Sequence, residues 1–246
     1  QDNGESTFDG HSLSLASDTL GTLEFHGENG SSSSNQVDKT AAGDLWDAFD
    51  QLANGAGLTF PDLAQTASAG NNAFIYRSPA LMEGLTGTLS YQPQGAGIAS
   101  GTGYGINYTG FDGLTFNYAS TDVVGTTTLT SGDNTVMKAS YIYGPVTVGY
   151  STLDHDEGTT DLTGDVKMTS YSLSYTVSDE LSITYGNESS DLGSSATDAE
   201  IDGISFAYTA GGMTISGSMK EGENLDYSTA QAADIEQWTL GASFAF

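Results

Sequence analysis

Along most of the chain, large apolar side chains alternate with small polar ones. Tyr104, Ile106 and Tyr108 share one parity, as do Leu114, Phe116 and Tyr118, and then Val146, Val148 and Tyr150. Thr169, Tyr171, Leu173, Tyr175 and Val177 continue the pattern, followed by Leu181, Ile183 and Tyr185. The opposite parity holds Thr115, Asn117, Thr147, Ser170, Ser172, Ser174, Ser182 and Thr184. A period of two predicts strands with one face in an apolar medium and the other in water or a lumen. The last segment, from Gln237 through Trp238 and Leu240 to Phe244 and Phe246, alternates in the same way to its final residue.

From Ala73 onward these segments are joined alternately by tight turns and longer polar connections. The tight turns include Phe111-Asp112-Gly113, Gly144-Pro145, Ser178-Asp179-Glu180 and Gly211-Gly212. The longer connections are expected near residues 93–101, 122–133, 154–165, 189–198 and 221–233. That rhythm is what an antiparallel barrel with one short-turn rim and one long-loop rim produces. The apolar parity then faces lipid, the small polar parity lines a wet interior, and tyrosines near strand ends form interfacial belts. A water-soluble β-sandwich with the apolar parity inward would alternate equally, so composition has to separate the two.

Hydrophobic residues make up 37% of the chain, with 32 glycines and no cysteine. That is thin for a sandwich core of this length but suits strands that need apolar residues on one face only. No run approaches the roughly 18 apolar residues of a membrane helix. The formal charge is −27, with Lys39, Arg77, Lys138, Lys167 and Lys220 the only lysines and arginines. Such a chain has no basic patch to neutralise phosphates, which argues against nucleic acid, and it suits cations as partners.

Residues 28–72 interrupt the rhythm between an early strand, Leu20–His26, and the strand at Ala73–Arg77. The insert opens on the run Gly30–Ser34, whose composition predicts a flexible linker. A helical pattern follows over Lys39–Leu52, with Leu45, Ala48, Phe49 and Leu52 at helical spacing and Asp44, Asp47 and Asp50 on the other side. A connection this long inside a compact fold is usually functional.

Two stretches carry a family resemblance. The C-terminal strand ending on Phe246 resembles the closing strand of bacterial outer-membrane barrels. The segment Gly21-Thr22-Leu23-Glu24-Phe25-His26-Gly27-Glu28, followed by Gly43-Asp44-Leu45-Trp46, resembles the strand and constriction loop of alphaproteobacterial general diffusion porins. The resemblance implies a 16-stranded transmembrane barrel, assembled as a homotrimer in outer-membrane lipid and lipopolysaccharide, with residues 28–72 folded inward to narrow the pore. About thirteen strands are legible here, beginning near His11–Ala16 and Leu20–His26. The family places its constriction loop after the fifth strand, so strands one to three are expected before residue 1 of this single barrel domain, 1–246. Strand direction argues the same way. The segment His11–Ala16 and the last strand both run toward the short-turn rim, so joining them directly would need a parallel pair of the kind found in a mitochondrial channel.

The resemblance also points to the constriction, where loop acids face wall bases and create a transverse field. Asp38, Asp44, Asp47 and Asp50 are the loop candidates. Parity turns Arg77 and Lys138 inward from the wall, together with Glu24 and His26. For any one aspartate, a merely solvated face explains the charge as well. The thin basic cluster suggests cation preference. Asp154, Asp156 and Glu157 resemble a hard-cation cluster for calcium, although they lack EF-hand spacing and solvated loop charge accounts for them too. No other cofactor is implied. His11, His26 and His155 are scattered and no hydrolase motif occurs, so catalysis finds no support. The expected function is a water-filled, cation-preferring outer-membrane channel for passive diffusion of small hydrophilic solutes. The alternative is a secreted or surface acidic β-protein acting as a binding or adhesion module.

Overall fold

The computed structural model describes residues 10–28, 30–43, 45, 46, 49, 72–95, 100–124, 131–158, 164–230 and 234–245. Thirteen strands follow one another in the chain: β1 Ser12–Ser17, β2 Gly21–His26, β3 Ala73–Arg77, β4 Leu85–Gln92, β5 Ser100–Tyr108, β6 Leu114–Val124 and β7 Gly132–Tyr143. The rest are β8 Val146–Asp156, β9 Val166–Thr176, β10 Leu181–Leu192, β11 Ala199–Ala210, β12 Met213–Glu223 and β13 Ile235–Phe244. They form one sheet in sequence order, and every described neighbouring pair is antiparallel. β1 and β13 are its two edges.

The faces are those the alternation predicts. Leu89, Tyr91, Tyr104, Ile106, Tyr150, Leu173, Tyr185, Trp238 and Leu240 stand exposed on the outer side. Aromatic rings pair across strands there, as with Tyr104 and Tyr118 (centroids 6.2 Å apart) and Tyr171 and Tyr185 (6.1 Å). Such pairs add to the burial an apolar face gains in lipid.

The strands run further toward the long-loop rim than the polar sequence suggests. Residues 122–133 and 154–165 were expected as connections, yet β6 continues to Val124, β7 starts at Gly132, and β8 continues to Asp156. Cross-strand register puts Asp122 opposite Asp133, and Asp133 opposite Asp156. A ladder needs only backbone partners. Where the wall rises above the apolar layer its outer face is wet, and carboxylates can replace the aliphatic parity there without ending the strand. At the other rim the turns are tight, and Gly113, Gly144, Gly211 and Gly212 hold the positive φ those turns require.

Candidate functional site

After β2 the chain folds onto the inner wall. Gly27 N–H donates to the His11 carbonyl at 3.0 Å, extending the β1–β2 ladder by one bond before the chain leaves it. The serine run is then an anchor and not a linker: Ser32, Ser33 and Ser34 are buried. Ser33 donates through N–H and hydroxyl to Ser90 Oγ at 2.9 and 3.1 Å. Ser34 does the same to Thr121 Oγ1 at 3.2 and 2.8 Å. Gly103 lies between those two wall residues in register. A Cβ there would sit 2.6 Å from Ser90 Oγ and 2.7 Å from Thr121 Oγ1, so the glycine makes room for both hydroxyls.

A single 3-10 turn, Ser34–Gln36, leads to Gln36, whose Oε1 accepts from Arg77 Nη2 at 2.9 Å. The other arm of Arg77 bonds Glu24 on β2, and His26 Nε2 lies 3.3 Å from the same Glu24 oxygen. Glu24, His26 and Arg77 are therefore one wall cluster tied to the loop.

Beyond it, residues 38–43 and Leu45 follow one cross-strand row of the wall. Lys138, Ser151, Ser170 and Glu188 stand opposite one another on β7, β8, β9 and β10. Lys138 Nζ donates to Asp38 Oδ2 (2.5 Å) and to the Thr40 carbonyl (2.8 Å). Ser151 Oγ donates to the Lys39 carbonyl at 2.7 Å. Ser170 Oγ accepts the N–H groups of both Ala41 and Ala42, at 3.0 and 2.9 Å. Glu188, 1% exposed, accepts the Leu45 N–H at 3.0 Å. Irregular backbone inside a barrel needs partners of this kind, because no regular ladder satisfies it. The expected helix over Lys39–Leu52 does not begin where the pattern places it, since Lys39–Gly43 is irregular. Within the rest of that span Phe49 N–H bonds the Trp46 carbonyl at 2.7 Å.

The wall beneath is bare where the loop lies on it. A Cβ on Gly186 would fall 2.7 Å from Ala42 Cβ, and one on Gly203 would fall 3.0 Å from Leu45 Cδ2. Leu45, Trp46 and Phe49 then bury themselves with Val136, Leu153, Met168, Ile201 and Leu225. The upper part of the lumen face is thus apolar, where small polar residues were expected. Magnitudes rank these contacts. Burying one large apolar side chain is worth about 1.5–3 kcal/mol. An ion pair such as Lys138–Asp38, whose Asp38 side chain is 61% exposed, adds at most about 1 kcal/mol. The apolar residues hold the loop down, and the polar bonds fix where it lies. Desolvation disfavours an ionised Asp38, but the Lys138 ammonium and the Thr40 N–H outweigh it and hold the carboxyl below its ordinary pKa.

Among the described residues, the sequence-predicted charges are brought together in direct pairs. Arg77 bonds Glu24 and Gln36, and Lys138 bonds Asp38 and Thr40. Asp44, Asp47 and Asp50 lie outside the described residues. The segment around Asp154, Asp156 and Glu157 is not one loop cluster. Asp154 and Asp156 sit on the outer face of β8, His155 is turned to the inner side and bonds Asn134 at 2.7 Å, and Glu157 follows the strand end. Among the described residues no group of three or more acidic or histidine side chains is arranged to hold a metal ion. Ser90, Thr121, Ser151, Ser170 and Glu188 were missed as loop partners. Parity alone marks them as inward, but nothing local distinguishes an inward serine that meets the loop from one that faces water.

The sequence matches the Gram-negative porin family over residues 1–246. Direct comparison with curated protein sequences gives no match. Several solved structures share the fold. One, a porin refined at 1.8 Å resolution, is 17% identical, with 96% of this chain and 80% of that one covered and a TM-score of 0.57. The anion-selective porin of Comamonas acidovorans is 16% identical over 98% of this chain and 78% of its own, with a TM-score of 0.54. OmpT of Vibrio cholerae, folded in vitro and in a trimer form, is 14% identical over 96% and 76%, with a TM-score of 0.52. Likeness at these identities carries the fold and not the selectivity. With an inner wall covered by an infolded loop, an outer face of aromatic and aliphatic residues, and a family match along its whole length, the chain belongs to the Gram-negative porins and is an outer-membrane channel protein.

Proposed function

We propose that the channel passes small hydrophilic solutes by passive diffusion, with a preference for cations, through a lumen narrowed by the loop of residues 28–72. The observation that carries this reading is the row of bonds from Lys138 to Glu188, which holds the loop inside the wall and not over its rim. Size exclusion then follows from where the loop lies.

The distribution of charge on the described strands supports the cation preference beside the thin basic cluster. Of the charged side chains on the inner parity of the described strands, Glu24 and Glu188 are acidic and Arg77, Lys138 and Lys220 basic, so the wall is close to neutral. The carboxylates gather at the long-loop rim instead, among them Asp122, Asp133, Asp156, Asp191, Glu200 and Glu223. A negative mouth concentrates cations ahead of the lumen.

The assembly we propose is a homotrimer of barrels, the form in which OmpT of Vibrio cholerae is described. β1 and β13, the two edges of the described sheet, run in the same direction. Single-channel recording in a planar bilayer under a salt gradient tests the reading. Stepwise conductance with a cation-selective reversal potential is expected, and folded, detergent-extracted protein that conducts nothing would overturn it.

A further inference from the structure

We propose that the connection between β12 and β13 carries a second moving part of the channel, a strained strap over Asn224–Ser228 that covers the seat of the infolded loop and lifts from it as a unit. Of the four non-glycine residues with positive φ among the described residues, three fall here: Asn224 (51°), Asp226 (57°) and Tyr227 (53°). That region is unfavourable for any side chain with a Cβ, more so for a bulky ring than for asparagine, and such residues persist only where surrounding contacts force them. The turn is closed on itself, because the Ser228 N–H meets the Asn224 and Leu225 carbonyls, each at 3.3 Å.

Two side chains hold the strap down. Leu225 is fully buried and joins Leu45, Trp46 and Phe49 in the apolar cluster. It turns back over Gly222, where a Cβ would lie 3.3 Å from Leu225 Cδ1, and Gly222 stands opposite Ile201 on the inner face. Tyr227 packs against the same cluster, and its hydroxyl lies 3.0 Å from the buried Ser190 Oγ. One buried leucine, part of an aromatic ring and one hydroxyl bond return a free energy of the same order as three left-handed residues cost. Two states so closely matched exchange with each other. Release of the strap uncovers Ser190 and the upper side of the Leu45, Trp46 and Phe49 contact, while the bonds from Lys138 to Glu188 keep the infolded loop on the wall. The inference rests on the diffusion-channel reading only for what this release does to the current.

The chain has no cysteine, so a single introduced thiol reports alone. Ser190→Cys places one beneath Tyr227, and Ser151→Cys places a control beneath the Lys39 carbonyl; both serines are 0% exposed. Labelling by a membrane-impermeant maleimide is timed on folded, detergent-extracted protein. Leu225→Ala should speed labelling at position 190 by about thirtyfold or more. Asn224→Val, which puts a β-branched residue in the left-handed region, should speed it by about tenfold, and Asn224→Gly should label no faster than the native strap. None of the three should change labelling at position 151 by more than about threefold. In single-channel recording, Leu225→Ala and Asn224→Val should add brief current steps at an unchanged main conductance. Equal acceleration at both positions overturns the strap as a separate unit, and so does unchanged labelling at position 190. Traces identical to the native ones overturn its effect on the current. A native protein that does not conduct overturns the channel reading instead and leaves the labelling result standing.

Discussion

Single residues decide how tightly the loop is seated. Ser170 Oγ accepts two backbone N–H groups, and in a buried site an unmet donor costs about 1–3 kcal/mol. Ser170→Ala is expected to give noisier and larger single-channel openings, and Ser170→Thr to retain the native trace; identical traces for all three would show that this bond does not hold the loop. Gly186→Val should have the same effect for a steric reason, because its Cβ would fall 2.7 Å from Ala42 Cβ. Asp38 predicts a pH dependence. Its folded pKa lies below the ordinary value of about 3.9, so its contribution is complete above that value and is lost only as pH falls through the lowered one. Open-channel noise should therefore stay flat from about pH 7 to 4 and rise in stronger acid, and in Asp38→Asn it should already be raised at neutral pH.

Elements differ in how much of their role is visible in sequence. The strands were legible in number, parity and turn positions, because a period of two is a local pattern. Their ends at the long-loop rim were not, since Asp122, Asp133 and Asp156 look like loop residues while their backbones continue the ladder. The Gly30–Ser34 run was misread for a related reason: its composition suits a linker, but its hydroxyls and N–H groups find Ser90 and Thr121. Within the infolded segment, the apolar contacts outweigh the ion pair. Phe49→Ala should cost about 3–5 kcal/mol of loop docking and Lys138→Met at most about 1. The mean conductance should therefore increase far more for Phe49→Ala. The opposite order would place the loop's stability in its charges.

At the scale of the whole molecule the formal charge is −27, and among the described strands its carboxylates stand mostly at one rim and few of them on the lumen wall. Charges at a wet rim are screened over about 10 Å at 0.1 M salt and about 3 Å at 1 M. The proposed cation preference should therefore be largest in dilute salt, with the cation-to-anion permeability ratio falling toward unity near 1 M. A ratio independent of ionic strength would place the selective charges inside the narrow, poorly screened lumen. A trimer of barrels should also conduct in groups of three equal steps and run as one slowly migrating species in gels until heating dissociates it to the faster monomer, because the folded wall resists detergent.

The sequence by itself determined which side chains of each strand share a face, because side chains alternate with every residue and need no distant partner to do so. It also marked residues 28–72 as the segment that breaks the rhythm. Only the tertiary structure decided where its described part, residues 30–43 with Leu45, Trp46 and Phe49, lies. Ala41 meets Ser170 and Leu45 meets Glu188 across 129 and 143 residues of chain. Those meetings depend on the register accumulated over many strand pairings, in which a shift of one residue would turn each of these wall side chains to the opposite face.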